Sequence, residues 1–458
     1  MITPDHSLSL ASLKPKIARL FGLSAVKIRS LEKSWHPGQG APVFTVKGRY
    51  TARGWTEWTQ GFQFGSALLQ FDAAGDKGFL ERARQRIVEV MASHVSHIGV
   101  HDHGFNNVST YGNLLRLMRA GRIPENAGER AFAELALKVS GAVQAVRWSR
   151  TADRRGYIYS FNGPHSLFAD TIRSLRSLAL AHQLGHRLMG EMDRQISILE
   201  RLIQHAAVTA QFNIWYGEGR DAYDARGRVA HESIFNVNDG HYRCPSSQQG
   251  YSPFSTWTRG LAWIMCGYAE QLEWLDTRPD AELKPFGGRK AIEAMMVKAA
   301  SATCDFYAEN TPPDGVPYWD TGAPGLAKLG DWASRPSDPF NAYEPVDSSA
   351  AAIAAQGLWR FGGWLGRKGQ RKGAYYQHLA LVVANTIFDA PYLSTDAKHQ
   401  GLLLHSVYHR PNGWDHVPRG FKIPCGESSM WGDYHARELA LLLLREAEGK
   451  RPLRFFDI

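Results

Sequence analysis

The chain has 458 residues, 44% of them apolar and 21% charged. That is enough to bury a large core, and the absence of long low-complexity tracts excludes a disordered protein. The net charge of +9 comes from Lys and Arg scattered along the chain, not gathered into arms or stripes. This argues against a nucleic-acid binder and fits a positive cleft for a small anionic substrate.

Cys244, Cys266, Cys304 and Cys425 form no C-x-x-C pair, so neither a zinc site nor a redox motif is indicated, and scattered cysteines suit a reducing compartment. The N-terminus lacks a basic start followed by a long apolar run, and no apolar run approaches the ~18 residues of a membrane span. The expected location is the cytoplasm, with no membrane association.

In chain order, residues 14–33 read as an amphipathic opening helix. Trp35 to Tyr50 reads as loop with extended structure over 41–49. Residues 1–50 are thus a lead-in packed on one domain, 51–458. Helices are predicted at 58–72, 77–97, 106–120, 127–149, 165–186, 188–216, 255–276, 287–310, 347–366, 370–388, 398–408 and 428–447. Short hairpin pieces are expected between 217 and 243. No fixed-period repeat stands out, which disfavours a solenoid.

The helices alternate in character. Six begin in stretches dense with Trp, His, Asp, Ser and Gly: WTEWTQGF (55–62), HDHGFNN (101–107), FNGPHSLFAD (161–170), SPFSTWTRGLAW (252–263), PVDSSAAA (345–352) and GESSMWGDYH (426–435). Those between them begin plainly and carry charge on one face. An inner ring within an outer ring has this alternation, because inner helices are covered on both sides and outer ones are amphipathic. The predicted fold is all-α, an (α/α)6 barrel of six hairpins in a single domain. Its cleft lies where the inner helices start, a face whose free N–H groups favour anions. The long loops 217–254 and 311–346 are placed over that cleft as walls.

Asp170 sits within the predicted 165–186 helix, among Leu167, Phe168, Ile172, Leu175 and Leu178. Loss of water there raises a carboxyl pKa toward the range where it both gives and takes a proton; by position alone an Asp on a solvated helix face is the simpler reading. His101-Asp102-His103 lacks the i, i+4 pair of a helical zinc site, so no metal is expected. Asp102 reads either as a cap or as a second carboxylate facing Asp170 across the cleft. Arg259 and Trp263 stand four apart on one helical face, where Arg can grip a carboxylate with two bonds and Trp offers a ring beside it, or the two can simply pack as a cation–π pair. Gln249 and His231 lie on the preceding loop and can point into the cleft.

Taken together, WTEWTQGF, HDHGF, FADTIRSL, QQGYSPFSTWTRGLAW, GVPYWDTGAP followed by DSSAAAIAAQGL, and SSMWGDYH resemble the unsaturated glucuronyl hydrolases, glycoside hydrolase family 88. The motifs run in the family's order from about Trp55 to about Leu444, and the resemblance implies the same (α/α)6 barrel. By position it implies that Asp170 is the general acid/base and Asp102 the second catalytic aspartate. His231, Gln249, Arg259, Trp263, Trp58 and His101 fall in the sugar-binding set. Tyr159 and Phe161 stand where the family tends to carry Trp, and the segments 217–230 and 325–344 look longer than usual.

The implied substrate is an anionic oligosaccharide with a non-reducing-end 4,5-unsaturated uronic acid. The implied reaction is hydration of its double bond without cofactor or metal, by a monomer or weak homo-oligomer. A toroidal glycosidase using two carboxylates on a saturated substrate, or a sugar-binding protein without turnover, are the alternatives.

Overall fold

The computed structural model describes all residues but Trp55 and Thr56, and all side chains but those two and Arg220. The first two positions of the 55–62 stretch therefore lie outside the described residues.

The described chain forms the expected double ring. Its inner positions are Gln60–Ala74; a composite of His103–Asn107, a π-helical turn Val108–Gly112 and Asn113–Arg119; the pair Thr171–Ser174 and Arg176–Gln183; then Thr258–Leu275, Ser348–Arg367 and Met430–Ala447. Each packs on the next, and the last packs on the first, closing the ring. The outer positions are Leu10–Ser34, Lys77–Val90, Ala127–Val146, Ile198–Phe212, Gly288–Glu309 and Lys372–Ile387. The opening helix Leu10–Ser34 takes an outer place against the inner helices at 60–74 and 430–447.

Burial follows the ring logic. Every residue of Thr258–Leu275 is buried, whereas Lys77–Val90 buries only Phe79, Leu80, Ala83 and Ile87, one stripe of an amphipathic helix. Inner helices approach so closely that side chains must vanish at the crossings. A Cβ on Gly267 would lie 2.8 Å from the backbone nitrogen of Arg173, and one on Gly104 would overlap the Ser174 carbonyl. Polar residues in the ring's centre have no water and must pair. Arg173, wholly buried, binds both carboxylate oxygens of Glu270 at 2.7 and 3.0 Å and reaches Glu438 at 3.0 Å.

Three predicted helices differ. The 165–186 helix starts only at Thr171, because Ser166–Phe168 is a strand paired antiparallel with Glu232–Phe235. Asp170 is therefore the residue before a helix, not one inside it. The 188–216 helix shortens to Ile198–Phe212, preceded by a small hairpin of Leu188–Met189 and Gln195–Ile196. The 398–408 segment is not helical. Its backbone groups are claimed by distant partners: Leu402 and Leu403 donate to the Asp433 carboxylate at 2.9 and 2.8 Å, and Val407 and Tyr408 offer their carbonyls to Arg259. An apolar run of helical length is overridden when tertiary partners take its N–H and C=O groups.

The core also stores a pH dependence. Burial lowers the pKa of His103, His405 and His409 to about 4 and of His205 and His435 to about 3. These groups are neutral when folded and charge near 6.5 when unfolded, so the unfolded state binds more protons below that pH. Their contribution is intact above pH 6.5 and is lost as pH falls toward 4, by about 1.4 kcal/mol per pH unit for each fully responding group. Urea midpoints measured at pH 7 and pH 5 are expected to drop sharply at the lower pH; equal midpoints would show that these rings are protonated in the native state.

Candidate active site

The inner-helix starts converge on a pocket of about 430 Å³, within the usual size range for small-ligand sites. Asp170 reaches it through the strand pairing. Phe168 pairs with Glu232, and the next amide, that of Ala169, donates to the His231 carbonyl at 2.8 Å. Asp170 and His231, 61 positions apart in sequence, are thereby delivered side by side.

Asp102 arrives by a different clamp. The His101 carbonyl accepts hydrogen bonds from Ser174 Oγ and Gln144 Nε2, both at 2.8 Å, and Gly104 N donates to Ser174 Oγ at 2.9 Å. These bonds hold the 101–104 turn against the start of the Asp170 helix. His103 faces away, bonded to Ser140 Oγ and the His97 carbonyl, and is structural.

The outcome is a buried triad. His101 Nε2 lies 3.7 Å from a carboxylate oxygen of Asp102 and 3.7 Å from one of Asp170. One donor atom from each of the three residues lies within 4.8 Å of the others. Two carboxylates and an imidazole at this spacing could also hold a divalent cation, although His101 and Asp102 alone carry no metal motif.

The electrostatics set the two carboxyls apart. Burial, reinforced by the nearby charge of Asp170, raises Asp102 to about 6. Burial also pushes Asp170 upward, but the neighbouring His101 imidazole leads the influences that more than offset it, so Asp170 is held below the ordinary carboxylate range. His101 is itself raised: burial opposes its charge, and the two carboxylates outweigh burial. Of the two carboxyls, the one pushed toward holding a proton is Asp102, not Asp170.

Seven of the eight predicted residues line this pocket: Trp58, His101, Asp102, Asp170, Gln249, Arg259 and Trp263. His231 lies behind the wall. Its Nδ1 accepts from the amides of Gln248 at 3.0 Å and Gln249 at 3.3 Å, and burial lowers its pKa to about 4. A neutral ring with Nδ1 accepting carries its proton on Nε2. These two bonds tie the 248–249 turn to His231.

Arg259 is present but committed elsewhere. Nη1 bonds Asp347 at 2.9 Å and the Val407 carbonyl; Nη2 bonds the Tyr408 carbonyl at 2.8 Å and Gln249 Oε1 at 3.2 Å. Four of its five N–H groups have partners within the protein, and the two-bond grip read from sequence would have to displace some of them. Its aromatic neighbours also differ from the expected one. The guanidinium lies between Trp257 and Trp431, 4.6 and 4.8 Å from their ring centres. Trp263 instead packs on Phe105 and His435. Trp58 stacks on Trp431 with ring centres 5.0 Å apart.

Only part of the predicted walls stands over the pocket. Gln248 and Gln249 of the 217–254 loop line it, but no residue of 311–346 does. That second loop braces the first: Asp320 accepts from Tyr251 N at 2.8 Å, and Trp319 O accepts from Thr258 N at 3.1 Å. The opposite wall is Tyr408, His409, Asn412 and Trp414, from a segment read partly as helix. Asp415 holds it by accepting from the Tyr408 and His409 amides. Asp347, which anchors Arg259 and caps Ser348–Arg367 through Ser349 N, was missed as a site residue, although its place before SSAAA is a helix N-cap signal.

Fold and pocket thus define an α/α toroid with an acidic pair at the mouth of its inner ring. The chain is similar along most of its length to unsaturated glucuronyl hydrolases. It is 24% identical to that of Formosa agariphila over 385 residues, covering 83% of this chain and 78% of the relative. To that of Bacillus sp. (strain GL1) it is 24% identical over 406 residues, covering 88% and 90%. An unsaturated chondroitin disaccharide hydrolase of Streptococcus agalactiae is 21% identical over 404 residues, 86% of this chain and 83% of the relative. Solved structures agree in fold. The Bacillus sp. GL1 unsaturated glucuronyl hydrolase superposes with a TM-score of 0.70 at 21% identity, covering 94% of this chain and 97% of that one. The Streptococcus agalactiae structure gives 0.71 at 18%, covering 97% and 98%. No protein-family model matches the chain.

Proposed function

We propose that the protein is an unsaturated glucuronyl hydrolase of the glycoside hydrolase family 88 type. It releases the 4,5-unsaturated uronic acid from the non-reducing end of short oligosaccharides by hydrating the double bond. The observation that carries this reading is the meeting of Asp102, Asp170 and His101 within 4.8 Å at the wall of a 430 Å³ pocket. The named relatives supply the substrate class.

The carboxyl pair holds one proton at mildly acidic pH. It rests on Asp102 and passes to Asp170 by way of His101 Nε2, which is equally near to both. Asp170 protonates C4 of the enol ether. Positive charge develops at C5, where the ionised Asp102 stabilises it. Asp170, now a carboxylate, takes a proton from the water that adds to C5. The hemiketal so formed opens and releases the rest of the sugar chain. Each cycle returns the pair to its starting protonation. Gln249, oriented by Arg259 and by the amide contact to His231, faces the uronate; Trp58 and Trp263 offer flat surfaces to the sugar. No step requires a metal or a cofactor.

The substrate is anionic and soluble, and among the described residues no helix is long and apolar enough to cross a membrane. Four free cysteines support a cytoplasmic site of action.

A panel of lyase-digested polysaccharides tests the assignment. The unsaturated uronate absorbs in the near ultraviolet, and hydration removes that band at the rate at which the linkage breaks. Cleavage that leaves the band intact at early times would indicate attack at the glycosidic bond instead. Because Asp102 titrates near 6 and the pair must be protonated to donate, kcat/KM is expected to fall as pH rises through about 6. A profile flat from pH 5 to 8 would remove the shared proton from the mechanism.

A further inference from the structure

Arg147 directly follows the outer helix Ala127–Val146. It is only 6% exposed and does not line the pocket. Its guanidinium is spent on three backbone carbonyls: Nη1 donates to Ile98 O, Nη2 to Ser160 O at 2.7 Å and Nε to Tyr159 O at 3.1 Å. The ring of Tyr159 covers it at 4.4 Å. No carboxylate pairs with it among the described residues. A buried guanidinium is ordinarily paired; here the end of a helix and three carbonyl dipoles carry the charge.

Those carbonyls belong to the two segments that carry the acidic pair. Ile98 lies four residues before Asp102. Ser160 is tied to the strand that leads into Asp170: its amide donates to Ser166 O at 2.9 Å, and its Oγ lies 2.6 Å from Ser166 Oγ. The next residue, Phe161, stacks on His101 with ring centres 6.0 Å apart. Gln144, one turn earlier on the same outer helix, adds its bond to the His101 carbonyl and another to Ser174 Oγ at 3.0 Å. A single planar fork therefore spans both segments, which a lone ammonium group cannot do. The charge reaches the pair as well. Burial dominates at Asp102; of the charges that face it, His101 and Arg147 draw its pKa down, and Asp170 and Glu57 push it up.

We propose that Arg147 is a positioning residue, which locks the Asp102 and Asp170 segments in register and holds a fixed positive charge beside Asp102. Its effect on turnover rests on the proposed hydration; its effect on Asp102 does not. Two variants separate fork from charge. Arg147→Gln keeps a donor and removes the charge, whereas Arg147→Lys keeps the charge and removes the fork. The Asp102 carboxyl is followed by carboxyl-carbon NMR of aspartate-labelled protein, its signal assigned by its loss in Asp102→Asn, and kcat and KM are measured against pH. In Arg147→Gln the Asp102 titration, and with it the fall of kcat/KM, is expected about half to one pH unit above the parent's. In Arg147→Lys both stay at the parent's pH, while kcat drops about tenfold and KM stays within about twofold, because residue 147 lies outside the pocket. An Asp102 titration that does not move in Arg147→Gln, or a parental kcat in Arg147→Lys, overturns the proposal. Should Arg147→Gln not fold, kcat of Arg147→Lys decides alone. A parent inactive on every lyase product would overturn the hydration reading instead, and the NMR titration would still decide the role of Arg147.

Discussion

Asp170→Asn is expected to lower turnover by about 10³-fold, near the middle of what general acid–base groups supply, while leaving the fold unchanged. The side chain keeps its shape. Asp170 Oδ1 makes no hydrogen bond among the described residues, so the amide breaks no structural bond there. The strand pairing that positions residue 170 uses backbone groups of Ala169 and His231 and survives the change. Circular dichroism and melting temperature should match the parent, with the loss confined to kcat. An Asn variant within tenfold of the parent rate would take position 170 out of proton transfer and give the role to Asp102, the carboxyl whose pKa is raised.

Arg259→Ala is expected to act first on stability. Its partner Asp347 is fully buried, and truncating one member of a buried ion pair costs about 3–5 kcal/mol because the other charge is stranded. The carbonyls of Val407 and Tyr408 lose their donor as well, so the Tyr408–Trp414 side of the pocket should loosen. The variant is expected to melt at least about 6 °C lower and to bind substrate poorly as a consequence. Arg259→Lys, which keeps the charge opposite Asp347, should recover much of the melting temperature but not the alignment of Gln249. A variant with the parent's melting temperature and only weaker binding would mean that Arg259 grips the uronate directly.

The double ring was legible in sequence because it is a repeating physical demand. Six decorated helix starts alternating with plain ones described the six inner positions, at residues 60, 103, 171, 258, 348 and 430. Local contests were not legible. The Ser166–Phe168 strand lost its identity to a helix-like apolar pattern, because its partner Glu232–Phe235 is more than sixty residues away. The 398–408 run looked helical because the Asp433 carboxylate and the Arg259 guanidinium that claim its backbone lie elsewhere in the chain.

The site shows the same limit. Residue types that carry chemistry were visible at Asp102, Asp170 and His101, but their proton balance was not. Asp170 read as the raised acid from its apolar neighbours, whereas the packed structure sets two imidazoles near it that hold it down, and the upward shift falls on Asp102. Arg259 was visible as a cation, but the Asp347, Val407 and Tyr408 contacts that consume its donors come from two other segments. Spacing along one helix identifies neighbours on that helix; it does not show what the next helix brings.

Reaction in deuterium oxide offers the most direct check on hydration. If Asp170 protonates C4, the earliest product carries a single deuteron at C4, delivered to one face of the ring, and it appears at the rate at which the ultraviolet band is lost. Product released with an intact double bond and no deuterium at C4 would contradict hydration and place the cleavage at the glycosidic bond.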